Sequence, residues 1–489
     1  MAVAGIASTA IYAAMFARQW PLAELYAQPF LDYAFLGGLT LSGQLSFVGS
    51  FIVLFGIQWL ALLYPRWPED RGDGLLRQIV LWQVAFGIVM AAIYPVAALD
   101  VYDYLMYGRI SLFYRGNPFT QPPAAFADIL AGFSPWPLEP SVYGPVWQLI
   151  SIAPTALGGA DLLTGLWAFK ILGLLGYVAC SCILALILSG TATSARNRSV
   201  MMFAWNPLLQ FELVGNAHND SWMVLFILLA VLAVLRQMYP LALPFLALAM
   251  LTKIPAAALG PVVVAAMVHH RAVRWVRLRW LLLGGATSLL LAVVLYAPFW
   301  EGASTLHFLT RGNWFTASLP TMLRELLRRY MEFETAGRAA ASFTASAFTV
   351  YVAWRLWAWW RESRAEPMPA QPTSARWLLA LHDVTFVYLA FACIWWEPWY
   401  LAWLVALASV VPDHGRRVRA ALFSIGGVLN YVVFKYIWPV YQPMTYTEIM
   451  AISVLMIFGL PLAHLAWFSG RADDRRGPGG RSTESSAAT

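Results

Sequence analysis

Long apolar runs recur along the chain, and they restrict its fold more than any other feature. A membrane-spanning helix needs about 20 apolar residues, and eight runs approach or exceed that length. The eight runs cover residues 43–64, 75–98, 163–189, 281–298, 339–361, 377–395, 418–438 and 447–469. Shorter apolar runs lie at 3–18, 199–214, 221–236, 240–252, 255–268 and 399–412. Together they predict an all-α polytopic membrane protein with about fourteen crossings, a count that could be wrong by about two.

Composition supports this fold class and excludes several others. Hydrophobic residues make up 60% of the chain and charged residues only 12%, whereas soluble proteins average about 25% charged residues. In such a chain the net charge of +7 indicates membrane topology and not nucleic-acid binding. The three cysteines, which all lie in apolar runs, predict neither a disulfide framework nor a zinc site.

The distribution of arginine predicts the orientation in the membrane. The connections at alternate ends of the predicted helices hold twenty arginines on one face and eight on the other. Because cytoplasmic connections are enriched in Lys and Arg, the face with twenty arginines is predicted to be cytoplasmic. The loops 100–160 and 299–338 then lie on the opposite face. No internal repeat of 20–50 residues is visible.

Two aspartates, Asp100 and Asp103, directly follow the apolar run 75–98. The segment after them predicts an amphipathic helix that runs to Tyr114 and stops at the Gly and Pro that follow. Acids three residues apart can share one helix face, so they could form a general base or a metal-binding pair. They could equally be an N-cap and a first-turn acid with no chemical role.

Several motifs, taken in order, resemble those of the GT-C glycosyltransferases, which use polyprenyl-phosphate sugars, and especially the bacterial polyprenyl-phosphate-mannose α-mannosyltransferases. The motifs are D-x-x-D-Y-x-x-Y-G-R from Asp100, N-P-F from Asn117, V-Y-G-P-x-W from Val142, W-N-P-L-L-Q-F-E-L-V-G-N-A-H-N-D from Trp205, L-T-K-I-P from Leu251 and W-E-P-W-Y-L from Trp396. The resemblance implies that Asp100 is the catalytic base and that Tyr143 belongs to the substrate site. The D-x-x-D spacing differs from the family's usual D-x-D or single Asp and leaves a metal role open.

Polar residues at 216–220 interrupt two short apolar runs, and an acid stands one turn before them. Polar groups at membrane depth are costly and are often functional, although a helix hairpin capped by one of them is an equally simple explanation. His218 could hydrogen-bond a sugar hydroxyl or the carrier phosphate, or orient Asp100. The candidate substrate-binding residues of this region are Glu212, Asn216, His218, Asn219 and Asp220.

Cations are expected wherever a carrier phosphate binds. Lys253 interrupts an apolar stretch and could bind the phosphate as a point charge or only reach the interface. Arg109 could pair with an acid or meet the phosphate, and Arg311 is a further phosphate candidate. Residues 319–331 carry apolar side chains at i, i+3 and i+4, which predicts an interfacial amphipathic helix with three arginines on its other face.

The segment Trp396–Tyr400 combines aromatic side chains with an acid. Aromatic residues commonly form a belt at the membrane interface, but aromatic faces beside a carboxylate also suit a sugar. Trp396, Glu397, Trp399 and Tyr400 are therefore substrate-binding candidates. His382 and Asp383 are interpreted as a structural polar pair.

The resemblance implies a GT-C-like bundle of about 12–14 transmembrane helices in a bacterial plasma membrane, with amphipathic helices in its outer loops. The expected function is transfer of a sugar, most simply mannose, from a polyprenyl-phosphate carrier to a glycan or glycolipid acceptor in cell-envelope glycan biosynthesis. No cofactor is required by this chemistry, and a divalent metal is left open. A transporter or flippase of a lipid-linked sugar is the alternative, because broken helices with polar residues also mark transport sites.

The predicted organisation has four parts. They are N-terminal transmembrane helices (1–74), a catalytic transmembrane module (75–300, with outer loop 99–162), a C-terminal transmembrane module (301–470, with outer loop 299–338) and a disordered cytoplasmic tail (471–489).

Overall fold

A computed structural model describes residues 1–28, 39–63, 72–269, 273–310, 314–365, 376–441 and 443–474. Throughout this part of the chain the regular structure is helical, with one isolated backbone bridge between Pro21 and Ile93. The fold is all-α, as predicted.

Twenty α-helices follow one another along the described chain. The first ten are α1 (Ala2–Tyr12), α2 (Leu22–Leu25), α3 (Leu41–Leu63), α4 (Gly72–Ala91), α5 (Asp100–Leu112), α6 (Pro145–Gly158), α7 (Leu162–Ile187), α8 (Thr193–Ala204), α9 (Pro207–Gln210) and α10 (Asp220–Leu235). The next ten are α11 (Tyr239–Met250), α12 (Gly260–His269), α13 (Arg274–Tyr296), α14 (Leu319–Leu327), α15 (Phe333–Ala365), α16 (Arg376–Val387), α17 (Leu401–Val410), α18 (His414–Val432), α19 (Trp438–Val440) and α20 (Tyr446–Asp474).

Six helices of the described chain are long and apolar enough to cross a membrane, and a bent pair adds a seventh. The six are Leu41–Leu63, Asp73–Ala91, Leu162–Ile187, Arg274–Phe299, His414–Val440 and Tyr446–Phe468. The bent pair, Pro207–Gly215 with Asp220–Leu235, turns by 115° at the polar segment 216–219. These lengths support a polytopic membrane protein, but they account for only half of the fourteen predicted crossings. Several of the remaining apolar runs form helices of 10–17 residues.

Helix α5 starts near the predicted position and ends two residues before the predicted end at Tyr114, but its surroundings differ from the prediction. It begins at Asp100 and ends at Leu112, shortly before Arg115, whose φ of 53° reverses the chain. The apolar run before it forms a helix only to Ala91, because Pro95 cannot continue a helix. Almost every side chain of α5 is buried, including Asp103. The helix that was predicted to be amphipathic and to lie at the membrane surface is therefore mostly buried.

Helix α14 is amphipathic, but its arginines are divided between the protein interior and the surroundings, since Arg324 is buried whereas Arg328 and Arg329 are exposed. Arg324 and Glu325 are buried against the protein, whereas Leu326 is 51% exposed and Tyr330, just beyond the helix, is 80% exposed. Arg324 pairs with Glu325 at 3.0 Å and lies over the ring of Phe315 at 4.8 Å. The outward apolar face suits an interfacial helix that rests on lipid.

The remaining predicted regions fall partly outside the described residues. Helix α20 continues to Asp474, four residues into the predicted tail, and the rest of that tail lies outside the described residues, as does Arg311. The core of the bundle is built where α10 packs against α7 and α11, and where α18 packs against α20. Helices α5, α6 and α7 pack side by side and hold the N-terminal end of α5 over this core.

Candidate active site

A cavity of about 240 Å³ opens at the N-terminal end of α5. Side chains from four separated regions of the chain form its wall. The lining residues are Asp100, Asp103, Tyr107, Trp136, Val142, Tyr143, Lys253, Ile254, Pro255, Phe308, Trp314, Trp395, Trp399 and Tyr400. Two carboxylates, one ammonium group and a large aromatic surface therefore share one enclosed space.

Asp100 is the first residue of α5, and its carboxylate accepts a hydrogen bond from the hydroxyl of Tyr143 at 2.8 Å. Burial raises the pKa of the Asp100 carboxyl above its usual range, although the Tyr143 hydroxyl and the charge of Lys253 partly oppose this effect. A carboxylate with a raised pKa is a better proton acceptor than an ordinary one. Asp100 is therefore partly desolvated, open to the cavity and suited to act as a base.

Asp103 has a different environment one turn later. It is 1% exposed, and its carboxylate accepts a hydrogen bond from the hydroxyl of Ser134. The same hydroxyl accepts the backbone N–H of Trp136 at 3.2 Å. Burial raises the pKa of Asp103 well above its usual range, and the charge of Asp100 adds to this. Asp103 thus connects α5 to the loop that places Trp136 in the cavity.

Lys253 is the cation of the cavity wall. Its ammonium group donates to Asp220 at 2.8 Å and lies 4.6 Å from the centre of the Tyr400 ring. Asp220 is fully buried and also accepts the indole N–H of Trp403 at 2.6 Å. Asp220 therefore fixes the position of the Lys253 ammonium group, and Lys253 lines the cavity. Asp220 is the first residue of α10, and no side-chain cap hydrogen bond forms at the N-cap residue, Asn219.

A close backbone contact joins the two charged sides of the cavity. The N–H of Gly144 donates to the carbonyl of Thr252 at 3.1 Å, and the N–H of Val146 donates to Leu251 at 3.0 Å. A Cβ on Gly144 would stand 2.0 Å from the Leu251 carbonyl oxygen, so only glycine fits there. This Gly144–Leu251 contact fixes Tyr143, next to the glycine, relative to Lys253.

The remaining candidates from 212–219 form a buried polar layer that contributes no side chain to the cavity wall. Glu212, in a π-helical turn (Phe211–Gly215), accepts hydrogen bonds from Asn216 at 3.0 Å and Tyr431 at 2.6 Å. The ring of His218 lies 3.4 Å from Glu212, between their nearest side-chain atoms, and stacks on Trp399 at 3.8 Å between centroids. Asn219 is also fully buried and does not cap α10 with its side chain. His218 thus supports Trp399 from behind.

The candidates at 396–400 divide into two groups. Trp399 and Tyr400 line the cavity, whereas Trp396 is fully buried and stacks on Phe423. Glu397 does not line the cavity. Burial raises the pKa of its carboxyl, and the charge of Asp100 adds to this effect.

Arg109 points away from the cavity. It pairs with Asp128 at 2.7 Å and donates to the carbonyl of Gly159. Burial of Asp128 is outweighed by hydrogen bonds from Leu130 and Arg109, so the pKa of Asp128 is lowered. In this position Arg109 anchors the loop between α5 and α6 and does not line the cavity.

Three tryptophans of the cavity wall, Trp136, Trp314 and Trp395, were absent from the sequence-based candidates. Each lies in a loop rich in aromatic and proline residues, so no local pattern separates it from an interfacial belt. Among the described residues, no group of three or more His, Cys, Asp and Glu side chains is placed to hold a metal ion.

Comparison with known proteins gives two results. The family model of the alpha-(1->6)-mannopyranosyltransferase N-terminal domain matches residues 1–269. The alpha-(1->6)-mannopyranosyltransferase A of Corynebacterium glutamicum is 26% identical over 236 residues, which are 47% of this chain and 46% of that protein. The alpha-(1->6)-mannopyranosyltransferase B of the same organism is 29% identical over 217 residues, which are 41% of this chain and 35% of that protein.

These alignments span less than half of the length of either curated relative. The matched family region nevertheless covers more than half of this chain and contains Asp100, Tyr143 and Lys253. The chain therefore belongs to the alpha-(1->6)-mannopyranosyltransferase family.

Proposed function

We propose that this protein is a membrane mannosyltransferase that moves mannose from a polyprenyl-phosphate carrier to a hydroxyl group of a glycan or glycolipid. The observation that carries the proposal is a single cavity lined by a desolvated carboxylate, Asp100, and by a cation, Lys253. Family membership supports mannose as the sugar and a glycosyl transfer as the reaction.

Asp100 acts as the general base of this reaction. Its carboxylate takes the proton of the acceptor hydroxyl as that oxygen attacks the anomeric carbon of the carrier-linked sugar. The bond between the anomeric carbon and the phosphate oxygen breaks, and the polyprenyl phosphate leaves with the electron pair. The hydrogen bond from Tyr143 directs one carboxylate oxygen, so the other oxygen remains for the proton.

Lys253 stabilises the negative charge that grows on the departing phosphate. Preorganised charges aimed at the developing charge are an effective form of catalysis in a partly dry site. Asp220 holds the ammonium group at 2.8 Å and is itself fixed by Trp403. Attack opposite the leaving phosphate inverts the anomeric centre, so a β-linked carrier sugar gives an α-linked product.

The cavity is proposed to face the non-cytoplasmic side of a bacterial plasma membrane. Arginine distribution supports this orientation, because the connections on the opposite face hold twenty arginines against eight. The exposed Ile254, 47% accessible and next to Lys253, offers an apolar approach for the carrier chain.

The test uses purified protein in detergent with radiolabelled polyprenyl-phosphate mannose and a panel of mannoside acceptors. We expect labelled product with the unaltered protein, and Asp100→Asn to lower kcat by about 10²–10⁴-fold, the usual contribution of a general base. Asp161→Asn is the matched control, since Asp161 only caps α7 and Asn caps helices equally well.

Two results would contradict the proposal. Full activity of Asp100→Asn would remove the base assignment. Absence of transfer from every carrier, together with substrate-dependent flux into vesicles, would favour the alternative function of a transporter.

A further inference from the structure

We infer that Trp136, Trp314 and Trp395 form the subsite that binds the acceptor, and that the acceptor presents a neutral pyranoside ring to it. The inference rests on the proposed transfer reaction and adds to it the position and the chemical class of the second substrate. These three residues are called the tryptophan wall below.

The tryptophan wall is a continuous aromatic surface within the cavity. Ring centroids are 5.3 Å apart for Trp136 and Trp314, 5.4 Å for Trp314 and Trp395, and 6.0 Å for Trp136 and Trp395. All three side chains also line the cavity that contains Asp100. Trp136 is 39% exposed, so part of this surface is open to a ligand.

Hydrogen bonds between loops hold the tryptophan wall in place. Asp103 and Ser134 fix the backbone of Trp136. The N–H of Thr316 donates to the carbonyl of Ile394 at 3.0 Å, and the Thr316 hydroxyl donates to Trp396 at 2.7 Å. The segments that carry Trp314 and Trp395 are therefore joined directly. A wall assembled from three loops and fixed in this way is preorganised for binding.

The charges of the cavity assign the two substrates to different sides. Lys253 belongs to the side formed with Asp220 and Tyr400, and it attracts the phosphate of the carrier. The tryptophan wall is joined instead to Asp103, and Asp100 lies one turn away on the same helix. The Asp100 carboxylate repels a phosphate at close range, so this side favours an uncharged ligand.

A pyranose ring satisfies both features of this side. Its C–H groups pack against aromatic faces, which carry negative charge at their centres, and its hydroxyl groups donate to carboxylates. A sugar that stacks on the tryptophan wall also brings a hydroxyl near Asp100, as the transfer requires. A lipid chain would use the aromatic surface but would offer Asp100 no hydrogen-bond donor beyond the hydroxyl of Tyr143.

The experiment measures steady-state kinetics for both substrates in Trp136→Ala, Trp314→Ala and Trp395→Ala. We expect the KM for a mannoside acceptor to rise about tenfold, the change that ~1.4 kcal/mol of lost binding produces, while the KM for polyprenyl-phosphate mannose stays unchanged. Trp136→Phe should recover part of the loss because it retains an aromatic face. The control is Trp300→Ala, an exposed tryptophan (56%) of the second outer loop that does not line the cavity.

Direct binding of labelled polyprenyl-phosphate mannose separates a failure of this inference from a failure of the proposed function. A protein that binds no carrier and transfers no sugar contradicts the proposed function. A protein that transfers mannose, but whose tryptophan variants raise only the carrier KM or neither KM, contradicts the acceptor subsite. Circular dichroism and the melting temperature identify a variant that has not folded, in which case Trp136→Phe provides the measurement.

Discussion

Two regions of this protein are each centred on an aspartate, and the two aspartates lie in opposite electrostatic environments. Asp383 on α16 receives Arg416 from α18 at 2.8 Å and Arg355 from α15 at 3.2 Å, with His382 also at 3.2 Å. Asp100 accepts a hydrogen bond from the Tyr143 hydroxyl and feels the charge of Lys253, but it forms no ion pair with a cation of the described residues. The first aspartate ties three helices together, whereas the second retains free capacity to accept a proton.

This difference distinguishes charges that stabilise the fold from charges that do chemistry. A carboxylate held by two guanidinium groups is fully compensated and has no reason to bind a proton. A desolvated carboxylate with one neutral donor is poorly compensated, which costs stability but raises its basicity. The two aspartates should therefore respond differently to the same substitution.

The largest effect on stability is expected for Asp383→Asn. The substitution removes the carboxylate that pairs with Arg355 and Arg416, both mostly buried, and leaves Arg416 only its contact with Asp413 at 3.1 Å, so it should cost about 3 kcal/mol. Asp100→Asn should leave the unfolding temperature unchanged or raise it, because it removes a desolvated charge. Thermal unfolding of both variants in one detergent tests this difference, and equal decreases in unfolding temperature would contradict it.

A smaller effect is expected on the pH dependence of activity in Tyr143→Phe. Asp100 acts in its charged form, and its raised pKa places the acid limb of kcat/KM above the pH typical of an aspartate. The Tyr143 hydroxyl stabilises the charged form, so its removal should raise the pKa further and move the limb to higher pH. A shift of the limb to lower pH, or no shift, would contradict the role of this hydrogen bond. Asp161→Asn should leave the profile unchanged.

The smallest effect is expected for Arg328→Gln on α14. Arg328 contacts Glu325 at 2.7 Å, but its side chain is 42% exposed, and exposed ion pairs contribute about 0–1 kcal/mol. Arg324→Gln should cost more, since Arg324 is buried between the rings of Phe315 and Phe333. Equal unfolding temperatures for the two variants would contradict the buried placement of Arg324.

The sequence predicted the fold class and the position of Asp100 correctly because both depend on local signals. Apolar runs define helices in a membrane protein, and Pro95 and Pro118 bracket α5 on either side. Fewer of the described helices are long enough to span a membrane than the fourteen predicted crossings, because several apolar runs form helices of only 10–17 residues.

The faces of α14 and the tryptophan wall could not be predicted for a different reason. Helical periodicity identifies two faces of α14, but whether protein or lipid covers the polar face depends on Phe315, Phe333 and Tyr446. The wall is made by loops distant in sequence, such as those that carry Trp136 and Trp395. The pattern of a single sequence does not show which distant loops contact each other.

The Gly144–Leu251 contact has a consequence for biosynthesis. The segments that it joins lie on either side of six helices, α6 to α11, so it cannot form until the chain has been synthesised beyond Leu251. Tyr143 therefore stays unfixed relative to Lys253 while the earlier helices enter the membrane. The aromatic lining of the cavity is completed later still, once the chain has been synthesised beyond Tyr400. A partly synthesised chain thus contains Asp100 without Lys253 and without the completed cavity.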